Sequence, residues 1–120
     1  MIDIKKLVRS FKFAGEGLFH LLKTEQNFKI ETMGAVMVVG LIIYTQPTAV
    51  EIAVLGIVTG SVLVMEIMNT VLERLLDILT KRKSKNFKAL KDMMAAAVLL
   101  NAIVAVIVVS ILLGKYLVSF

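Results

Sequence analysis

The chain has 120 residues, of which 58% are hydrophobic, and it carries a formal charge of +5 and a mean hydropathy of +0.88. A soluble globular domain has about 45–50% apolar residues, so this excess predicts an integral membrane protein. The absence of cysteine excludes a disulfide framework, a thiolate metal site and a cysteine nucleophile. The basic residues flank apolar stretches, which favours anionic lipid headgroups over nucleic acid as their partner. We expect one domain over residues 1–120, with no separate soluble catalytic domain.

Residues 5–24 predict an amphipathic helix that lies on the membrane surface. Its apolar residues recur at helical spacing, and several basic residues lie close to them. Such basic amphipathic helices dock in the plane of the lipid headgroups. The alternative is a flexible polar tail. The residues that define this pattern are Leu7, Phe11, Leu18, Leu21 and Leu22 on the apolar side, and Lys5, Lys6, Arg9 and Lys12 among the basic ones.

Three apolar segments follow, and they predict an all-α bundle with spans at about 28–44, 49–72 and 93–113. The first has a short uncharged stretch, so Lys29 and Glu31 are expected at the inner interface. Residues 45–48 predict a turn, because Pro47 cannot continue a helix. The helical pattern of the second segment continues beyond the span, to about Leu79.

Lysine and arginine residues predict the orientation of these spans. Arg9 and Lys12 precede the first span, and the loop between the first two spans has no basic residue. The segment 81–91 is strongly basic, whereas the C-terminal tail has only Lys115. The positive-inside rule therefore predicts a cytoplasmic N-terminus and an external C-terminus.

A polar stripe runs along the inner half of the second span. Its residues fall at i, i+3, i+4, i+7 and i+11, which at 100° per residue form one stripe roughly 100° wide. Carboxylates near bilayer depth are costly and usually functional. The alternative is that they only pair with interfacial lysines. The stripe consists of Glu66, Asn69, Thr70, Glu73 and Asp77, and Arg74 blurs its edge.

The predicted topology brings this stripe close to Glu25, Lys91 and Asp92 at the inner leaflet. Mg²⁺ is usually held by one or two carboxylates together with substrate phosphates, and nearby basic residues offset the phosphate charge. A carboxylate in an apolar setting is suited to act as a general base. The arrangement favours phosphoryl transfer to a membrane-resident alcohol. A non-enzymatic channel or transporter subunit is the alternative, although it leaves the basic loop and the Lys91–Asp92 pair unexplained.

Glu66 also predicts self-association, because a carboxylate cannot face hydrocarbon without a large penalty. Another helix, either of the same protomer or of a neighbour, must therefore cover it. We expect the surface helix and Glu25 of a neighbouring copy to provide this cover. The single histidine, His20, is interpreted as an interface residue rather than as a base or metal ligand.

Three motifs resemble those of the prokaryotic diacylglycerol kinase and undecaprenol kinase family. Residues 66–77 match the pattern E-x-x-N-[ST]-x-x-E-x-x-x-D, and residues 91–98 match K-D-M-x-x-A-A-V. Residues 23–28, with the sequence KTEQNF, resemble the K-x-E-x-N-F/M stretch of the Gram-positive branch. Many members carry a histidine between the stripe and the Lys-Asp pair, whereas this chain has KRKSKNF at 81–87.

The resemblance implies a homotrimer in the bacterial cell membrane that uses ATP and Mg²⁺, with sites shared between neighbouring protomers. It implies undecaprenol as the lipid acceptor, with diacylglycerol as the alternative. Glu66 would be the general base, and Glu25 and Glu73 the metal ligands. Lipid contacts would come from Glu66 and Ala95. Nucleotide contacts would come from Phe13, Glu25, Asn69, Glu73, Asp77, Arg82, Lys83, Ser84, Lys91 and Asp92.

Overall fold

A computed structural model of the chain describes residues 1–79 and 85–118. These residues form four helices and no strand, as the all-α prediction requires: α1 (Ile4–Thr24), α2 (Gln26–Thr45), α3 (Ala49–Leu79) and α4 (Lys85–Val118). Helices α2, α3 and α4 are each long and apolar enough to cross a membrane. The predicted nucleotide ligands Arg82, Lys83 and Ser84 lie outside the described residues.

Helix α1 begins and ends at residues that break the helical backbone. Asp3 caps its N-terminus by accepting a hydrogen bond from the Lys6 backbone N–H at 3.2 Å. It ends at Thr24 because Glu25 is extended, with φ −111° and ψ 113°. Leu21 is the buried residue of this helix, whereas residues 1–20 are all exposed. Glu25 is therefore a one-residue elbow between α1 and α2. That α1 lies on the membrane surface stays a prediction.

The turn between α2 and α3 falls at residues 45–48, where Pro47 predicts it. Gln46 adopts the left-handed conformation, with φ 50°, and closes α2 through its backbone N–H to the Ile42 carbonyl at 2.9 Å. Helix α3 then opens with a capping box. The Thr48 hydroxyl accepts from the Glu51 N–H at 3.2 Å, and the Glu51 carboxylate accepts from the Thr48 N–H at 3.0 Å.

Helices α3 and α4 pack against each other along their length, and polar contacts join them at mid-length and near both ends of α3. At mid-length, the Asn101 side-chain amide donates to the Ser61 hydroxyl at 3.2 Å. Near the start of α3, Glu51 accepts from the Tyr116 hydroxyl at 2.5 Å and pairs with Lys115 at 2.6 Å. In lipid, such interhelical hydrogen bonds hold apolar helices together, each contributing about 1 kcal/mol. The α3–α4 pair is therefore the frame on which the other helices are arranged.

Helix α3 is longer than a bilayer core requires. Its 31 residues give it a length of about 46 Å at 1.5 Å per residue, against a hydrocarbon thickness of about 30 Å. On the predicted span 49–72, Glu66 would lie near the inner edge of the hydrocarbon and Glu73 just beyond it. These depths stay a prediction.

Candidate active site

The stripe on α3 changes from buried to exposed along its length. Glu66 is only 4% exposed and Thr70 is also buried, whereas Asn69 is half-buried and Glu73 and Asp77 are exposed. The Thr70 hydroxyl donates to the Glu66 backbone carbonyl at 3.0 Å, which satisfies it within the helix and leaves the Glu66 side chain to other partners. The most protected position in this stripe is therefore occupied by a carboxylate.

Residues from α2 and α3 surround Glu66. Its carboxylate has hydrogen-bonding neighbours in the side chains of Asn27 and Asn69. Glu25 and Glu73 lie close enough to interact with it electrostatically, and so does Glu31 from α2. One chain thus brings four carboxylates together. Glu25 lies at the elbow, and its carboxylate contacts Arg74 on α3 of its own chain. That a neighbouring copy contributes Glu25 to the Glu66 site stays a prediction.

Glu31 is a further carboxylate near Glu66, and its place at the inner interface stays a prediction. It is half-buried, and its Oε2 atom has no hydrogen-bond partner among the described residues. The sequence pattern missed its proximity to Glu66, because the two residues belong to different helices and the first span showed no polar stripe of its own. Glu31 therefore adds a carboxylate to the cluster that no motif indicated.

Asn69 and Glu73 present oxygen atoms suited to a hard cation. The Asn69 amide nitrogen donates to Glu73 Oε1 at 3.5 Å, which leaves Asn69 Oδ1 buried without a partner among the described residues. Within residues 1–79 and 85–118, no three acidic or histidine side chains are arranged to hold a metal ion. Mg²⁺ commonly takes one or two carboxylates and completes its shell with phosphates and water. The donor set fits Mg²⁺ bound in that way.

One ion pair connects the end of the stripe with the start of α4, and a second lies within α4. Lys91 Nζ contacts Asp77 Oδ1 at 2.8 Å, and Lys88 Nζ contacts Asp92 at 2.7 Å. The structure therefore brings Lys91 to the predicted stripe residue Asp77, while Asp92 pairs within its own helix. Phe13 on α1 and Ala95 on α4 are exposed in the single chain. Their assignment to the nucleotide and the lipid stays a prediction.

Arg74 was the residue that interrupted the pattern, and the structure gives it three partners. Its guanidinium contacts Glu25 at 2.5 Å, His20 at 2.8 Å and Thr24 at 3.2 Å. His20, interpreted from sequence as an interface residue, thus contacts α3. No local pattern predicts these contacts, because they join residues 49 to 54 positions apart in the chain.

Comparison with known proteins identifies the family of the chain. A sequence model of prokaryotic diacylglycerol kinase matches residues 12–113. The chain belongs to this family. The matched range includes Glu66, the three carboxylates around it and the Lys91–Asp92 pair. The residues that the structure brings together therefore lie within the part shared with the prokaryotic diacylglycerol kinase family.

Two relatives with established names are similar over most of this chain. A diacylglycerol kinase of Synechocystis sp. is 36% identical over 114 residues, which cover 94% of this chain and 65% of the relative. An undecaprenol kinase of Bacillus subtilis is 27% identical over 108 residues, which cover 88% of this chain and 86% of the relative. This family member therefore spans slightly less than two thirds of the Synechocystis protein and most of the Bacillus protein.

Proposed function

We propose that the chain is an integral membrane lipid kinase that transfers the γ-phosphoryl group of ATP to the hydroxyl of a lipid alcohol. The observation that carries this proposal is the burial gradient of α3, in which Glu66 lies protected among apolar helices and Glu73 is exposed two turns away. A lipid hydroxyl and a water-soluble nucleotide can meet along such a stripe. The names of the two relatives support the same reaction class.

In the proposed mechanism, Glu66 accepts the proton of the lipid hydroxyl as that oxygen forms a bond to the γ-phosphorus. The bond between the γ-phosphorus and the β,γ-bridging oxygen breaks, and ADP leaves with its electron pair. Asn27 and Asn69 orient the Glu66 carboxylate through hydrogen bonds. General-base catalysis of this kind contributes about 10²–10⁴-fold. The lipid alcohol would also contact Ala95.

Glu25 and Glu73 would hold Mg²⁺, with the unpartnered Oδ1 of Asn69 beside them. When bound, Mg²⁺ supplies charge that offsets the phosphate oxygens. The residues proposed to contact ATP lie at the exposed end of the stripe, on α1 and in the basic segment. They are Phe13, Glu25, Asn69, Glu73, Asp77, Arg82, Lys83, Ser84, Lys91 and Asp92.

Undecaprenol is the proposed acceptor, because residues 23–28 resemble the Gram-positive branch and the Bacillus relative is an undecaprenol kinase. Diacylglycerol is the second candidate, since the Synechocystis relative of that name has the higher identity to this chain. Either lipid presents its hydroxyl near the boundary between hydrocarbon and headgroups, where Glu66 is proposed to lie.

We further propose that the protein is a homotrimer in the bacterial cell membrane, with a cytoplasmic N-terminus and an external C-terminus. The distribution of lysine and arginine supports this orientation. Large apolar side chains exposed along α2 and α4 of the single chain support contact with lipid and with further copies.

The test is phosphate transfer by the purified protein from radiolabelled ATP to undecaprenol and to diacylglycerol, assayed in parallel in mixed micelles. We expect labelled undecaprenyl phosphate in the presence of Mg²⁺, and none from Glu66→Gln. Faster labelling of diacylglycerol would reverse the choice of acceptor. Ion flux in liposomes without phosphate transfer to either lipid would support a channel subunit instead.

A further inference from the structure

Arg74 uses two nitrogens to join α3 to the end of α1. Nη1 contacts His20 Nε2 at 2.8 Å, and Nη2 donates to Thr24 Oγ1 at 3.2 Å and to Glu25 Oε1 at 2.5 Å. Arginine only donates hydrogen bonds, so in this contact Nε2 of His20 is the acceptor. All three partners lie in the last turn of α1 or at the elbow that follows it.

Apolar packing does little to fix this part of the chain. Leu21 is the buried residue of α1, and the preceding residues are all exposed in the described structure. A partly exposed ion pair contributes little to stability, but a planar guanidinium that binds several acceptors defines their geometry. We therefore expect the Arg74 contacts to fix the position of Glu25 and to contribute little to the stability of the bundle.

The position of Glu25 matters because other carboxylates lie near it. Glu25 lies near Glu66, which also interacts with Glu73 and Glu31. Repulsion among these carboxylates favours displacement of Glu25 toward water, because it is at the elbow and its side chain is 31% exposed. Arg74 contacts Glu25 directly and opposes this displacement. It engages the Oε1 atom of that carboxylate.

We infer that Arg74 is a positioning residue that holds Glu25 in place for a divalent cation shared with Glu73. The inference rests on the proposed metal site, but its test does not need turnover. Residues that orient a metal ligand typically change metal affinity by about 10–100-fold when they are replaced. Because Arg74 acts through Glu25, its effect must disappear once the Glu25 carboxylate is removed.

The experiment measures Mn²⁺ binding by electron paramagnetic resonance in detergent, without nucleotide, for the wild type, Arg74→Met, Glu25→Gln and the double variant. Mn²⁺ is the probe because it shares the oxygen-ligand preference of Mg²⁺ and is paramagnetic. We expect Arg74→Met to raise the dissociation constant about tenfold. The double variant should bind no more weakly than Glu25→Gln alone. Arg74→Lys, which keeps the charge, should restore part of the affinity, and Lys5→Met, which removes an exposed charge elsewhere on α1, should bind like the wild type.

Three results would overturn the inference. Tighter Mn²⁺ binding in Arg74→Met would mean that Arg74 competes with the cation. Unchanged Mn²⁺ binding in Arg74→Met would mean that Arg74 does not position Glu25. Additive losses of affinity in the double variant would mean that Arg74 acts independently of Glu25. Circular dichroism and oligomer size establish that each variant folds. If Arg74→Met does not fold, Arg74→Lys takes its place in the comparison with Glu25→Gln. Absence of kinase activity together with the expected coupling would overturn the proposed reaction and leave the positioning role supported.

Discussion

Glu66 and Glu73 lie two turns apart on one face of α3, yet Glu66 is 4% exposed whereas Glu73 is exposed to solvent. Two chemically identical side chains therefore have different surroundings because of their positions along α3. An apolar environment suits a group that must take up a proton, and an exposed carboxylate suits a cation that arrives with a water-soluble nucleotide. The following predictions test this division of roles.

Glu66→Gln is expected to reduce lipid phosphorylation by about 10²–10⁴-fold, because the amide keeps the shape of the side chain but does not accept the proton. Initial rates at saturating ATP and Mg²⁺ measure the effect. Glu16→Gln is the matched control, since Glu16 is exposed on α1 and has no assigned role. A loss of less than about tenfold would contradict the assignment of Glu66 as the base.

Glu73→Gln and Glu25→Gln are each expected to raise the Mg²⁺ concentration that gives half-maximal activity. A cation held by only two carboxylates loses much of its affinity when either is removed. The measurement is a Mg²⁺ titration at fixed ATP, with Glu16→Gln again as the control. Unchanged half-saturation in both variants would assign these residues a structural role.

Mixed oligomers of Glu25→Gln and Glu66→Gln are expected to regain part of the lost activity. If a neighbouring copy supplies Glu25, a fraction of the sites in the mixture has both glutamates intact. The two variants are refolded together, with subunit mixing verified by affinity tags and with wild type mixed into Glu66→Gln as a positive control. No activity despite verified mixing would show that each site is built within a single chain.

Tyr116→Phe is expected to lower the midpoint of thermal unfolding by roughly 5 °C while leaving activity at low temperature unchanged. It removes the 2.5 Å hydrogen bond that joins α4 to the Glu51 carboxylate, about 22 Å along α3 from Glu66. Scanning calorimetry and the phosphorylation assay measure the two effects. Lower activity without a change in midpoint would indicate that this end of the bundle contributes to catalysis.

Hydrophobic patterning was sufficient to predict the all-helical fold and the turn at Pro47, because long apolar segments have few alternatives in a membrane. The regular spacing of Glu66, Asn69 and Glu73 likewise predicted a polar face. The partners of Glu51 and Arg74 were not predictable. Tyr116 is 65 residues from Glu51, and His20 is 54 residues from Arg74, and contacts at such separations follow from helix packing rather than from local spacing.

Glu31 shows the same limit within a shorter stretch of chain. Counting uncharged residues predicted its depth at the inner interface, but it did not predict that Glu31 would lie close enough to Glu66 on α3 to interact with it electrostatically. A count of residues estimates depth along one helix, but it contains no information about the neighbouring helix that each side faces. The contacts between neighbouring helices of a bundle can therefore be read only from the packed structure.

The burial gradient of α3 also bears on how the product would be released. A phosphorylated lipid carries more negative charge than the alcohol, so its headgroup is drawn outward toward water, the direction in which the carboxylates of α3 become exposed. The hydrocarbon tail stays among acyl chains throughout, and the nucleotide stays in water. The lipid would therefore not have to leave the membrane, and the nucleotide would not have to leave water. The two reactants would meet at the membrane boundary, and the protein would need neither a channel nor a carrier step to bring them together.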